Sequence, residues 1–257
     1  MKGEILLECR GLTRRFGGVL ALDALDFEVR GGEVLSLIGP NGAGKTTAFN
    51  VITGMFAPTA GDVRFGERSL VGLKPDAVAR LGIARTFQNI RIFRGMSVLE
   101  NVMVGRHGKM RAGPLGAIFR PRRVLDEERA AALYSADLMR FAGIEGHSAL
   151  RADALSYGDQ RRLEIARALA SEPKLLLLDE PAAGMNPREK SDLNDLIFAI
   201  RDRGVTILLI EHDMKVVMGI SDRIIVIDHG EKIAEGAPAE VRANPKVLEA
   251  YLGTSHA

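Results

Sequence analysis

The chain has 257 residues, is 46% hydrophobic and 26% charged, and carries a formal net charge of +2. That length buries a sizeable core without covalent staples, and the near-neutral balance argues against a dedicated nucleic-acid binder, which concentrates basic charge on one surface. The single cysteine, Cys9, cannot form an internal disulfide and reads as packing filler in an apolar-flanked run.

Residues 5–9 alternate as a strand directly after Met1-Lys2-Gly3-Glu4, with no signal-peptide core. Leu25, Phe27 and Val29 alternate with polar residues as a half-buried strand does. Residues 34–38 form an apolar run that enters a glycine-rich turn, with a helix starting near Gly44. Gly61-Asp62 reads as a turn before Val63 and Phe65. The middle of the chain changes character. Residues 98–104 and, more strongly, 126–141 read as helices. Between them 105–123 is rich in Gly and Arg, broken by Pro114 and Pro121, and reads as a loop or broken helix inserted there. Strand–helix alternation then returns: a strand at 174–179, a helix at 187–203 with Leu193, Leu196, Ile197 and Ile200 on one face, and strands at 205–210 and 223–227. Such alternation predicts a mostly parallel sheet covered on both faces, with the middle block as an inserted helical subdomain. Apolar runs such as 175–178 have strand length, and none approaches the ~18 residues that cross a bilayer. The expectation is a soluble, cytoplasmic chain.

Gly39-Pro40-Asn41-Gly42-Ala43-Gly44-Lys45-Thr46 fits G-x-x-x-x-G-K-[ST] between an expected strand and helix. Glycines let backbone N–H groups wrap phosphates, and the helix amino terminus adds partial positive charge. Lys45 supplies a point charge for the β- and γ-phosphates and Thr46 a hydroxyl for Mg²⁺, with Thr47 beside it. The strand at 174–179 ends in Asp179 and Glu180. Asp179 is placed to hold Mg²⁺, directly or through water, and Glu180 to polarise an attacking water.

A phosphate loop alone fits kinases, GTPases and helicases. Leu155-Ser156-Tyr157-Gly158-Asp159-Gln160, immediately before an expected helix at 161–170 and 19 residues before Lys174, narrows the choice. It resembles the L-S-G-G-Q signature of ATP-binding-cassette ATPases, with Tyr157 and Asp159 as departures. The resemblance covers nearly the whole chain. It implies a RecA-like P-loop α/β fold with a mostly parallel sheet, antiparallel β elements and an inserted α-helical subdomain. The core would take 1–90 and 161–257 and the insertion 91–160. It further implies that Ser156, Gly158 and Gln160 contact ATP held by an opposite subunit. Phe16 would stack on adenine, Gln88 would sense Mg²⁺ and water, and His212 would contact the γ-phosphate. Ala183-Gly184-Met185-Asn186 falls where the family's interface-crossing loop lies, with Asn186 in place of the usual aspartate.

The strings Ala84-Arg85-Thr86-Phe87-Gln88-Asn89-Ile90-Arg91 and Ala182-Ala183-Gly184-Met185-Asn186-Pro187 look like importers of branched-chain amino acids, specifically their longer ATPase subunit. Close relatives move urea or short amides. This branch implies a second ATPase subunit (identical or different), integral membrane permease subunits and, indirectly, a periplasmic solute-binding protein. It places the chain on the inner face of the membrane. The rival reading, a DNA-repair or chromosome-maintenance cassette, would need long coiled coils. Fewer than 115 residues separate Lys45 from Ser156, and they hold no sustained heptads. Ile92, Phe93, Val98 and Leu99 are candidates for a permease-docking surface, or equally for subdomain core. The basic residues Arg106, Lys109, Arg111, Arg120, Arg122 and Arg123 have few acids near them in sequence. They belong either to a solvated loop or to a face turned to anionic lipid.

Overall fold

The computed structural model describes residues 3–109 and 122–252. The chain divides into two compact units, Met1–Arg85 with Lys174–Ala257, and Thr86–Pro173.

The first unit holds two sheets. In the antiparallel one, β1 (Ile5–Phe16) and β2 (Val19–Arg30) pair as a hairpin, and β4 (Ala60–Phe65) and β5 (Arg68–Ser69) extend it in the order β2-β1-β4-β5. Period-two alternation turns Leu7 and Cys9 inward and leaves Glu8 and Arg10 outward. The second sheet combines β3 (Val34–Ile38), β6 (Ile83–Arg85), β7 (Leu175–Asp179), β8 (Thr206–Ile210), β9 (Arg223–Asp228) and β10 (Glu231–Gly236). Their order is β10-β9-β3-β8-β7-β6, parallel except for the β9–β10 hairpin.

Every residue of β3, β7 and β8 is buried, because helices or the other sheet cover both faces. Leu35, Leu177, Leu208 and Ile225 point to a core shared with the antiparallel sheet and with Phe49 of α1 (Lys45–Ile52). Alternate residues Ile38, Ile224 and Val226 point the other way, onto Val217, Val241 and Val247. Those three come from α7 (Met214–Ile220), α8 (Pro238–Ala243) and α9 (Pro245–Leu252). Each such side chain contributes about 1.5–3 kcal/mol on burial. The register sets Leu37 and Asp179 both level with Ile210, so the chains leaving β3, β7 and β8 emerge together at one carboxyl edge. The helices α2 (Pro75–Arg80) and α6 (Pro187–Asp202) complete the unit.

The second unit packs α3 (Val98–Arg106), α4 (Arg122–Phe141) and α5 (Tyr157–Leu169) together. Ser97 and Glu100 close a capping box at the start of α3. Gly105 permits close approach of α3 to α5, since a Cβ there would lie 2.0 Å from the Arg167 carbonyl oxygen. Asn101 is fully buried and satisfied. Its amide oxygen accepts from Phe93 N–H (2.8 Å), and its nitrogen donates to the carbonyls of Phe93 (3.0 Å) and Ser97 (2.9 Å).

The structure differs from the sequence expectation at four places. The inserted unit runs from Thr86 to Pro173 rather than over 91–160. A boundary at 160 would cut α5, whose Leu163 and Ile165 are buried and cannot be left in water. Ser156 is the N-cap of α5, so 157–160 form its first turn instead of preceding it. Gly61-Asp62 lies inside β4, opposite a bulge between Arg10 and Thr13, and is no turn. The basic segment also meets acids: Arg106 bonds Glu172 at 2.6 Å, Lys109 lies 3.8 Å from Glu172, and Arg123 lies 3.6 Å from Glu127. Residues 110–121, with Arg111 and Arg120, lie outside the described residues. Val98 is core at 0% exposure, whereas Phe93 is 46% exposed.

Candidate functional site

The loop after β3 is shaped by its glycines. A Cβ on Gly39 would sit 2.0 Å from the Ile227 carbonyl oxygen, and one on Gly44 would sit 2.4 Å from that of Ala21. Gly44, at φ +102°, is the N-cap of α1, so Lys45 and Thr46 open the helix. Lys45 is buried, and its Nζ donates to the carbonyls of Gly39 (2.7 Å) and Pro40 (2.8 Å). The ammonium thus lies inside the ring of its own loop. Burial holds its pKa below the usual lysine range, opposed by the negative charge of Glu180 and Asp179. Asn41, Gly42 and Thr46 are exposed, Pro40 and Thr47 half-buried, and Ala43 buried.

Asp179 ends β7 almost out of water, and the Arg85 guanidinium lies 2.7 Å from its Oδ2. Arg85 also donates to Asn50 Oδ1 at 2.7 Å, joining β6, β7 and α1 through one side chain. Glu180 follows in a left-handed backbone conformation (φ +47°), costing about 1–3 kcal/mol for a non-glycine residue. Its N–H is held by the Ile210 carbonyl at 2.8 Å. Its Oε2 lies 3.5 Å from His212 Nδ1, so the loops after β7 and β8 bring a carboxylate and an imidazole together. Beneath them Glu211, 1% exposed, accepts from the N–H groups of Ala182 (2.8 Å), His212 (3.0 Å) and Asp213 (3.3 Å) and fixes both loops.

Asn186 caps α6, its Oδ1 accepting from Arg188 and Glu189 N–H at 3.0 Å each, while Glu189 returns a bond to Asn186 N–H at 2.9 Å. Phe16 is 39% exposed; it meets Phe56 edge-on at 5.3 Å, with the Arg14 guanidinium 4.5 Å from its ring centre.

The structure therefore gathers Lys45, Thr46, Asp179, Glu180 and His212 in the first unit, whereas Gln88, Ser156, Gly158 and Gln160 belong to the second. In the second unit, Ser156 Oγ accepts from Asp159 N–H at 3.2 Å and donates to Asp159 Oδ2 at 2.8 Å. Gln160 Nε2 donates to the Leu155 carbonyl at 3.0 Å. Gly158 is buried in the first turn of α5, and Gln88 is exposed. Sequence reasoning assigned no part to Arg85, Glu211, Arg161 or Glu164. The available signal was a charge bordering an apolar strand, or a charged pair three apart on an otherwise apolar helix face.

Among the described residues no three His, Cys, Asp or Glu side chains form a metal cage. A hydroxyl on Thr46 and one carboxylate on Asp179 are hard oxygen donors that suit Mg²⁺, which is held by one or two carboxylates together with nucleotide phosphates.

A buried lysine inside a glycine-bracketed loop, at the carboxyl edge of a parallel sheet beside Asp179 and Glu180, defines a P-loop nucleoside triphosphatase. Comparison with known proteins narrows this. The ABC transporter family model matches residues 22–183, and that of the branched-chain amino acid ATP-binding cassette transporter matches 231–257. The chain is 48% identical over 249 residues to the high-affinity branched-chain amino acid transport ATP-binding protein LivG of Salmonella typhimurium, covering 96% of this chain and 98% of that one. It is 46% identical over 249 residues to BraF of Pseudomonas aeruginosa, with the same coverage of 96% and 98%. The crystal structure of the ADP conformation of an ATP-binding cassette from an ABC transporter superposes with a TM-score of 0.85 at 33% identity, covering 97% of this chain and 99% of that one. The chain belongs to the ABC transporter family and is an ATP-binding, ATP-hydrolysing subunit of it. The expected P-loop α/β fold is the one found.

Proposed function

We propose that this subunit energises the uptake of branched-chain amino acids through separate integral membrane permease subunits, fed by a periplasmic solute-binding protein. The observation that carries the chemistry is the Glu180–His212 approach at 3.5 Å beside buried Lys45 and Asp179. Lys45 and the loop amides bind the β- and γ-phosphates. Glu180 orients and polarises the attacking water, His212 meets the γ-phosphate, and Phe16 stacks on adenine. Thr46, Asp179 and Gln88 would hold Mg²⁺. The ion neutralises charge on the phosphates when bound. Ser156, Gly158 and Gln160 complete the site of a facing ATPase subunit, identical or different, so that two ATP molecules lie in the interface.

Among the described residues no helix is long and apolar enough to cross a membrane. The cargo reading rests on relatives named for branched-chain amino acid transport across nearly the whole length. Its test is uptake of radiolabelled leucine, isoleucine, valine and urea in cells lacking the gene, complemented with wild type or Glu180→Gln. Restoration of the three amino acids by wild type alone supports the proposal. Restoration of urea uptake without them moves the cargo to the amide branch.

A further inference from the structure

The second unit holds a buried charge pair that no binding role accounts for. Arg161 and Glu164 stand three residues apart on α5, with side-chain exposures of 0% and 1%, and Arg161 Nη1 lies 2.8 Å from Glu164 Oε2. Both reach the segment around Gln88. Arg161 donates from Nη1 to the Phe87 carbonyl (2.7 Å) and from Nη2 to the Gln88 carbonyl (2.9 Å). Glu164 Oε1 accepts from the N–H groups of Phe87 and Arg91, each at 3.3 Å. Four main-chain groups on either side of one exposed glutamine are thus bonded by two side chains of one helix.

Stability alone does not explain this pair, since a buried ion pair is often no better than apolar side chains of similar volume. An apolar pair cannot bond a loop backbone. Nor can lysine span two consecutive carbonyls as a rigid guanidinium fork does. The same helix begins at Ser156, its N-cap. The signature serine and the glutamine segment are therefore fixed by a single rigid element.

We propose that Arg161 and Glu164 form a backbone clamp that positions Gln88 for the hydrolytic step, as positioning residues distinct from the groups that touch nucleotide. The inference rests on the reading of Gln88 given above. Pre-setting the backbone leaves only side-chain rotamers to be ordered when ATP is bound, and small misplacements of a reacting group cost heavily.

The test uses the full-length chain. Arg161→Leu/Glu164→Leu removes both charges together and leaves no unpaired buried ion. Arg161→Lys keeps the charge and loses the fork. Three quantities are measured: ATP hydrolysis, ATP affinity in EDTA, and amide hydrogen exchange of Phe87 and Arg91. The amides of α1 and thermal melting serve as checks that the fold is intact. The clamp predicts exchange about tenfold faster at Phe87 and Arg91 alone. It predicts kcat reduced about tenfold to a hundredfold with KM for ATP and EDTA-state affinity within about twofold, and a smaller loss for Arg161→Lys. It also predicts that adding Gln88→Ala to the double variant lowers kcat no further. A folded double variant with wild-type kcat, or losses that multiply with Gln88→Ala, overturns the clamp. If Gln88→Ala alone turns over at the wild-type rate, the reading of Gln88 falls and the clamp's part in hydrolysis falls with it. A slow Gln88→Ala beside a double variant of wild-type rate overturns the clamp alone.

Discussion

Arg85 with Asp179 in the first unit, and Arg161 with Glu164 in the second, are arginine–carboxylate pairs at 2.7 Å and 2.8 Å, all four side chains 8% exposed or less. Their surroundings differ. Apart from a long bond from Arg161 Nη2 to the Tyr157 hydroxyl at 3.4 Å, Arg161 and Glu164 direct their remaining bonds to main-chain groups of a neighbouring segment. Arg85 instead bonds side chains, among them Asn50 of the helix that follows the phosphate loop, and its carboxylate partner is the proposed ligand of Mg²⁺. Asp179 thus has a side-chain partner that a bound cation would replace. On the readings proposed above, burial of a charge pair serves opposite ends in the two units: a fixed scaffold in one, a metal ligand in the other.

Changes at the chemical end of the first unit should have the largest effects and leave the second unit untouched. Lys45→Ala should weaken ATP binding about a hundredfold or more, the scale of removing one partner from a buried charge contact. Calorimetric titration with ATP checks this, and amide exchange at Phe87 and Arg91 should not change. Glu180→Gln should retain binding and lower turnover by about a hundredfold; phosphate release under saturating ATP measures it, and a wild-type rate removes Glu180 from its role. Arg85→Met strands a buried carboxylate and should cost about 3–5 kcal/mol of stability in urea denaturation. Adding Asp179→Asn should recover more than half of that loss. If Arg85→Met proves neutral, Asp179 was never dependent on it and the contrast between the pairs collapses. Smallest is the cap on α6. Asn186→Ala should cost about 1 kcal/mol in thermal melting, while Asn186→Asp should remain within a few tenths, since either side chain accepts the same two N–H bonds.

Strands β3, β7 and β8 were legible because burial on both faces demands unbroken apolar runs, and residues 34–38, 175–179 and 206–210 supply them. The phosphate loop was legible because its glycine spacing has few other uses. The carboxylates were legible because a buried strand must end where Asp179 and Glu180 stand. The signature helix was set too late, at 161, since Tyr157, Asp159 and Gln160 look polar and loop-like until Ser156 is seen to cap them. Arg85, Arg161, Glu164 and Glu211 escaped notice because a charged side chain in sequence reads as solvated. Only tertiary structure shows that each meets a partner out of water. Asn186, where the resemblance implied aspartate, caps α6 through its Oδ1, a role that an aspartate carboxylate would fill equally.

The central claim is that the groups gathered in one chain hold one side of ATP, and that Ser156 of a facing subunit closes the other. Sedimentation velocity of Glu180→Gln measures it most directly, with ATP and Mg²⁺ or with ADP, alone and with the partner ATPase. The account predicts a dimer in ATP, monomer in ADP, and no dimer for Glu180→Gln/Ser156→Arg despite normal nucleotide binding. Monomers in ATP with the partner present, or a dimer indifferent to Ser156→Arg, would contradict it.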